Sequence, residues 1–464
     1  MSSHKVLMLG AGFVTKPTLE ILAKSGVTVS VACRTLDSAK SLSAGIQNAV
    51  PISLDVTNND ALDAEVAKHD LVISLIPYTF HATVIKSAIR QKKHVVTTSY
   101  VSPAMLELDQ QCKDAGITVM NEIGLDPGID HLYAVKTIDE VHKAGGKITS
   151  FLSYCGGLPA PEDSGNPLGY KFSWSPRGVL LALRNAASFY KDGKVVNVDG
   201  PDLMAIAKPY HIYPGFAFVA YPNRDSTGYK ERYNIPEAQT VIRGTLRYAG
   251  FPEFVKVLVD INFLKDEEES YWKDAIPWKE ATQKILGAKS TNEEDLVAAI
   301  VSKTNFADAD QKDHILAGLK WIGLFSDEKI IPRSNPLDTL CATLEKKMQY
   351  AEGERDLVIY ILNHANYVIL TDTLRLQHKF EVELADGTKQ TRLSTLCEYG
   401  STDPNGYSAM AKLVGVPCAV AVQQVLNGTI SEKGVLAPMN AKLNDPLIKE
   451  LKEKYGIYCK ETIV

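Results

Sequence analysis

The sequence is poor in cysteine, and the seven it has (Cys33, Cys112, Cys155, Cys341, Cys397, Cys418 and Cys459) are scattered singly, with no C-x-x-C pair among them. That spacing excludes the usual zinc frameworks and speaks against a disulfide-stapled secreted scaffold, so a reducing compartment is expected. Neither sign of charge is in large excess: 50 Lys and Arg stand against 55 Asp and Glu, a formal charge of −5, without a long basic block. A nucleic-acid partner is therefore not expected, because clustered cations are what track a phosphate backbone. Long apolar runs are also missing. The most apolar late stretch, Leu357 to Leu370, is interrupted by Asn363, His364 and Asn366 and falls short of the roughly 20 residues of a bilayer span, so no membrane segment is expected. Only Met-Ser-Ser-His precedes the first strand-like run at Lys5, which leaves no room for the three parts of a signal peptide and makes a cytoplasmic location the expectation.

What remains is a chain of ordinary globular composition, 45% hydrophobic and 23% charged over 464 residues, long enough for two or three domains with cores of their own and a cleft between domains. Short apolar, β-branched runs recur at Lys5–Leu9, Val27–Cys33, Leu71–Leu75, His94–Thr98 and Ile117–Met120. Between them Pro17–Lys24, Asn59–Lys68, His81–Arg90 and Pro103–Ala115 carry apolar residues at helical spacing. The alternation predicts a Rossmann-type parallel sheet covered by helices, within an α/β fold class. Beyond Asn121 a helix over His131–Ala144, a strand over Ile148–Tyr154 and a Gly- and Pro-rich loop from Gly156 to Gly169 point to a second, α+β domain. Pro252–Tyr350, rich in Lys, Glu, Asp and Ala, reads as a helical insert. Strand-like runs return at Lys379–Leu384 and Lys389–Leu396 before a long helix over Tyr407–Leu426. The expected domains are residues 1–130 with a C-terminal segment of about 428–464, then 131–251 with 346–427, and the insert 252–345.

Lys5-Val-Leu-Met-Leu-Gly10-Ala-Gly12-Phe-Val-Thr15 is a buried strand feeding a glycine turn and a helix, the context in which G-x-G-x-x-G signals a dinucleotide. Gly10 permits the tight turn. Gly12 lets backbone N–H groups approach a pyrophosphate at a helix N-terminus. Thr15 stands where the third glycine belongs, which predicts a wider helix-to-strand approach. An NAD site wants a carboxylate at the end of the second strand, but this one ends Ala32-Cys33-Arg34-Thr35. A guanidinium there suits a ribose 2′-phosphate, so NADP(H) is the expected cofactor, with nearby Asp37 placed in the first turn of the next helix.

Three longer motifs carry more: Ser74-Leu-Ile-Pro-Tyr-Thr-Phe-His81, Val95-Val-Thr-Thr-Ser-Tyr100 and Asn121-Glu-Ile-Gly-Leu-Asp-Pro-Gly-Ile-Asp130. Together with Phe151–Pro161, Lys171–Ser175, Tyr221–Ser226 and Arg243–Arg247 they closely resemble the fungal saccharopine reductase family over nearly the whole chain. That resemblance implies a homodimer of three-domain subunits that condenses L-glutamate with L-2-aminoadipate 6-semialdehyde and reduces the imine to L-saccharopine with NADPH, a step of lysine synthesis. For the second, α+β domain it implies a role in substrate binding and dimerisation. It implies nucleotide contacts at Gly12, Phe13, Val14, Cys33, Arg34, Thr35, Asp55, Val56, Ile76, Thr98, Leu125, Asp126, Pro127 and Trp174, to which Gly10 of the glycine turn and Ser99 at the strand end are added as cofactor-binding candidates. The substrate contacts it implies are Ser99, Asp126, Arg224, Thr245 and Arg247, with the neighbouring Thr98 and Leu246 added as candidates.

Residue chemistry supports several of these assignments. Saccharopine bears three carboxylates, and arginines such as Arg224 and Arg247 bind carboxylates bidentately. Thr98, Ser99 and Tyr100 end one probable strand and Asp126 lies in a Gly-Leu-Asp-Pro-Gly turn after another, where doubly wound sheets place their ligands. Asp126 and Tyr100 are accordingly the candidates for acid–base work at the imine. Trp174 could cover a nicotinamide ring or simply be a half-buried aromatic, and Cys155, beside Gly156 and Gly157, reads as a small buried residue. Reductases of other imines or aldehydes, of carboxyspermidine or homoserine type, and a non-catalytic NADP sensor stay open on these grounds. One departure from the family pattern is Ile359–Arg375, where about one residue would be expected; it reads as a loop or an unspliced intron, dispensable for folding.

Overall fold

The computed structural model describes residues 4–212, 214–363, 382–403 and 405–463. By contact they divide into two compact units, residues 1–146 with 405–460 and residues 147–404 with 461–464.

Unit one is built by repetition. It runs β1 (Lys5–Leu9), α1 (Lys16–Lys24), β2 (Thr28–Cys33), α2 (Leu36–Ser43), β3 (Ala49–Ser53), α3 (Asn59–Val66), β4 (Leu71–Ser74), α4 (His81–Gln91), β5 (His94–Thr97), α5 (Pro103–Leu106), α6 (Asp109–Asp114), β6 (Thr118–Met120) and α7 (Ile129–Lys143). The strands pair in parallel in the order β6-β5-β4-β1-β2-β3, and the late strand Gly434–Leu436 adds a seventh beside β6. Helices on both faces bury the sheet, which is why β1 and β4 are apolar almost throughout. The order reverses between β1 and β4, the switch point at which such sheets bind ligands.

The expected strands are all present to within a residue or two, and two elements were not anticipated by periodicity. β3 contains Pro51 and is half exposed; it is the edge strand, the one place a sheet tolerates proline. The helix expected over Pro103–Ala115 is broken into α5 and α6. The helix Ala409–Leu426, 18 residues long and apolar enough on composition to cross a membrane, is mostly buried against its own unit, where it packs on α1. Its composition is that of a core helix. It therefore lies in unit one, not in the second domain where the sequence reading put it, because the apolar face of α1 is what it covers.

Unit two is organised on a nine-stranded mixed sheet. Its central strand Ser150–Pro159 pairs in parallel with Thr240–Tyr248 and antiparallel with Asp356–Asn363, which in turn pairs with Arg392–Tyr399. The helices Phe251–Asp260, Trp278–Leu286, Glu293–Lys303, Ala309–Ile322 and Pro336–Lys347 share one apolar core with this sheet, so the expected insert is not a compact unit by itself. Two further expectations need correction. Gly156–Pro159, the start of the expected loop, is strand: a Cβ on Gly156 would stand 2.8 Å from the Leu246 Cβ, so glycine is there to let two strands meet closely, and the loop begins only after Pro159. Within Ile359–Arg375, the residues Ile359–Asn363 continue a strand paired on both sides; residues 364–375 lie outside the described residues.

Candidate active site

The nucleotide-binding candidates in unit one gather along the carboxyl edge of its sheet. Gly10 follows β1 with φ +109, and a Cβ there would meet the Leu75 carbonyl oxygen at 2.7 Å. Only glycine fits. Around Gly12 the space is open, as close approach by a phosphate requires. Phe13 is exposed and Val14 half-buried. Thr15 is fully buried and turns its hydroxyl back to donate to the Gly12 carbonyl at 2.8 Å. The close approach of α1 is instead to the helix Ala409–Leu426, through Gly415, where a Cβ would stand 2.8 Å from the Val14 carbonyl oxygen.

Cys33, Arg34 and Thr35 end β2, with Arg34 and Thr35 exposed. Asp55 and Val56 follow β3, and Thr57 donates to the Asp55 carboxylate from its N–H (2.9 Å) and hydroxyl (2.7 Å). Those bonds, with a smaller contribution from Arg34, hold the Asp55 carboxyl below its ordinary range. Asp37 lies in the first turn of α2 beside Lys40 at 3.8 Å, as expected, and is almost wholly in solvent. Ile76 lies after β4, beside the Gly10 turn. The glycine turn, its open approach and a cation at the tip of β2 fit an NADP ribose phosphate and pyrophosphate.

Thr98, Ser99 and Tyr100 leave the end of β5, and the Tyr100 hydroxyl donates to Asp126 Oδ1 at 2.6 Å. Asp126 belongs to a tight turn in which Gly124 N–H donates to the Pro127 carbonyl at 3.0 Å. Gly128 has φ +149, and a Cβ there would collide with the Gly124 backbone at 2.0 Å. Leu125 is 3% exposed, so only its backbone is available to a ligand.

Sequence reasoning missed what stands behind these groups. His81, 1% exposed, bridges Ser74 (Nδ1, 2.8 Å) and Ser99 (Nε2, 2.8 Å), and burial pushes its pKa down to about 4, leaving a neutral ring. Glu122, Asp130 and His131 are fully buried, with His131 Nε2 2.7 Å from Glu122 and Nδ1 3.4 Å from Asp130. All four are in or next to the quoted motifs.

The remaining candidates belong to unit two. Trp174 is half-buried, its ring against Gly178 at the start of the helix Pro176–Ala182. Arg224 is exposed, with φ +52, in the turn after the strand Phe218–Pro222. Thr245, Leu246 and Arg247 lie on Thr240–Tyr248. The Leu246 side chain is fully buried. Arg247 is 6% exposed, its guanidinium between the rings of Tyr170 (4.8 Å) and Phe251 (5.3 Å). Nη1 donates to the Leu246 carbonyl at 2.8 Å, while Nε has no hydrogen-bond partner among the described residues.

Two family models match the chain: the saccharopine dehydrogenase NADP binding domain over residues 6–120 and the saccharopine dehydrogenase C-terminal domain over residues 124–457. The saccharopine dehydrogenase [NADP(+), L-glutamate-forming] of Pyricularia oryzae is 73% identical, covering 100% of both chains. That of Saccharomyces cerevisiae is 60% identical over 99% of each. The solved structure of apo histidine-tagged saccharopine dehydrogenase (L-Glu forming) from Saccharomyces cerevisiae superposes with a TM-score of 0.88 at 59% identity, covering 100% of both chains.

Proposed function

The chain belongs to the saccharopine dehydrogenase family, and from that premise we propose how its residues divide the work of an NADP-dependent, L-glutamate-forming saccharopine dehydrogenase. The enzyme joins the amine of L-glutamate to the aldehyde of L-2-aminoadipate 6-semialdehyde, water leaves, and the C=N bond is reduced to the secondary amine of L-saccharopine, reversibly. NADPH supplies the hydride. The protein must supply the rest: a base for the attacking amine, a proton for the departing carbinolamine oxygen, and exclusion of competing water.

The observation that carries the assignment is the 2.6 Å hydrogen bond from Tyr100 to Asp126 at the carboxyl edge of the nucleotide sheet. A carboxylate that accepts from a phenol can take a proton from the incoming amine, and the phenol can pass one to the leaving oxygen. Gly10, Gly12, Phe13 and Val14 cradle the pyrophosphate, Arg34 and Thr35 hold the 2′-phosphate, and Thr98, Ser99 and the Leu125–Pro127 turn line the nicotinamide side. In unit two, Arg224 and Arg247 are assigned to substrate carboxylates, and Thr245 and Leu246 to further substrate contacts. A buried guanidinium held between two rings, with a carbonyl on Nη1 and no hydrogen-bond partner for Nε among the described residues, is costly by itself, and a ligand carboxylate would offset that cost. Trp174 is assigned to the nicotinamide face. A homodimer in the cytoplasm completes the proposal: the family resemblance is what suggests the dimer, and cysteines scattered singly, with no C-x-x-C pair, suit a reducing compartment.

The test is nicotinamide absorbance with the purified chain, offering saccharopine, homoserine or a polyamine adduct, each with NADP and with NAD. Turnover confined to saccharopine with NADP is the expected result, and preference for another amine would overturn the substrate assignment.

A further inference from the structure

Three ionisable side chains just behind the Tyr100–Asp126 pair have no contact with solvent: Glu122, Asp130 and His131 are each 0% exposed. Burying such groups is costly, and a paired set of them is rarely the cheapest way to fill a core. What they hold is therefore informative. Glu122, in left-handed backbone at φ +59, uses Oε1 to accept the N–H of Val101, the residue after Tyr100, at 2.8 Å. Its own N–H donates to the Ser99 carbonyl at 3.2 Å, so it grips the chain on both sides of Tyr100. Asp130 does the same for the other partner: Oδ1 accepts the N–H of Gly128, two residues after Asp126, at 2.5 Å, and its N–H donates to Leu125 at 3.1 Å. His131 lies between the two carboxylates, 2.7 Å from Glu122 Oε2 and 3.4 Å from Asp130 Oδ2.

We propose that His131 is a positioning residue: by bridging Glu122 and Asp130 it ties the segment carrying Tyr100 to the turn carrying Asp126 and so fixes the separation of the acid–base pair. The imidazole, 0% exposed, offers no surface to a ligand. It acts through two carboxylates, each of which clamps the backbone next to one member of the pair. A ring with nitrogens at opposite ends suits this task, since each carboxylate needs its own partner at a set spacing. Small errors in that spacing are amplified at the chemistry, where displacement of a proton-transfer group by about 1 Å can cost on the order of 10²-fold in rate.

The inference rests on Asp126 being the acid–base group, and a double-mutant cycle separates the two claims. The proteins are wild type, Asp126→Asn, His131→Leu, His131→Gln and the two doubles, each measured for kcat, KM, NADPH dissociation constant by fluorescence, and Tm. His131→Leu should lower kcat by roughly tenfold or more with the NADPH dissociation constant within about twofold of wild type, His131→Gln should recover part of the loss, and neither should lower kcat further in the Asp126→Asn background. Glu122→Gln, which keeps an acceptor for the Val101 N–H, serves if His131→Leu does not fold; it should lower kcat by a few-fold, again only when Asp126 is present. Wild-type kcat in a folded variant, losses that add in full to Asp126→Asn, or equal losses of turnover and NADPH affinity would each overturn the proposal. So would failure of every variant in the network to fold, which would assign it to structure alone. Normal turnover in Asp126→Asn by itself would instead remove the acid–base assignment, whatever the His131 variants do.

Discussion

Arg34 follows the end of β2 and is exposed, and Asp55, which feels its charge, is already bonded to Thr57. A 2′-phosphate would meet an arginine not committed to a carboxylate. Arg34→Ala should weaken NADPH binding by roughly tenfold to a hundredfold and leave the weaker NADH binding nearly unchanged in a fluorescence titration; equal losses for both would count against this role. Asp126→Asn keeps an acceptor for the Tyr100 hydroxyl but removes the base, so NADPH binding should persist while turnover falls by ~10² or more and one limb of the pH–rate profile flattens. Both residues were legible in the sequence, Arg34 by standing where a carboxylate was wanted and Asp126 by its turn. The groups behind them were not. A histidine at position 131 reads the same in sequence whether it faces solvent or two buried carboxylates, because burial is set by elements far away in the chain.

At the level of elements, periodicity recovered strands that are buried on both faces and missed β3, where proline and half-exposure erase the apolar signature. Glycine was the other source of error. Gly156 and Gly157 looked like loop punctuation, yet they sit mid-strand, and at Gly156 a neighbouring strand leaves no room for a side chain. Thr15, in the place of a glycine, predicted a looser α1; the glycine that matters is Gly415, nearly 400 residues further on, and only the folded chain brings it to the Val14 carbonyl. Gly415→Val should push α1 and the glycine turn aside, lowering stability by about 1–3 kcal/mol and weakening NADPH binding although position 415 touches no nucleotide. A melt and a titration unchanged from wild type would show that the helices absorb the added side chain. The same logic reverses an expectation for Ile359–Arg375. Because Ile359 and Tyr360 are fully buried in a strand paired on both sides, deleting the whole stretch should abolish the cooperative melt of unit two. A deletion variant with a wild-type melting curve would restore the reading of a dispensable insertion.

For the molecule as a whole, the two units should differ in their response to acid. His69, His81 and His94, all in unit one, have pKa values lowered by desolvation first of all, that of His81 to about 4 from 6.5. A histidine whose folded pKa is depressed takes up its proton more readily in the unfolded chain, so stability is full above about 6.5 and is lost as pH falls towards the folded value. For His81, which is 1% exposed, a shift of this size corresponds to about 3 kcal/mol lost by pH 4. The depressed carboxylates are shifted in the same direction, with the same loss of stability on acidification, but over a lower window. Asp266 and Glu354 of unit two are held below their ordinary range chiefly by Arg184 and Lys171, so their contribution stays in place above the unfolded carboxylate pKa of about 4 and fades only below it. Between pH 6.5 and 4, then, the histidine penalty falls on unit one. Urea unfolding followed at a series of pH values should show the transition of unit one moving to lower denaturant as the pH falls through this range, ahead of unit two. His81→Gln should start from lower stability at pH 7, having lost its bonds to Ser74 and Ser99, but decline less steeply with acid, since glutamine cannot take up the proton. A variant whose stability falls as steeply as wild type over the same range would show that His81 is not the group being titrated.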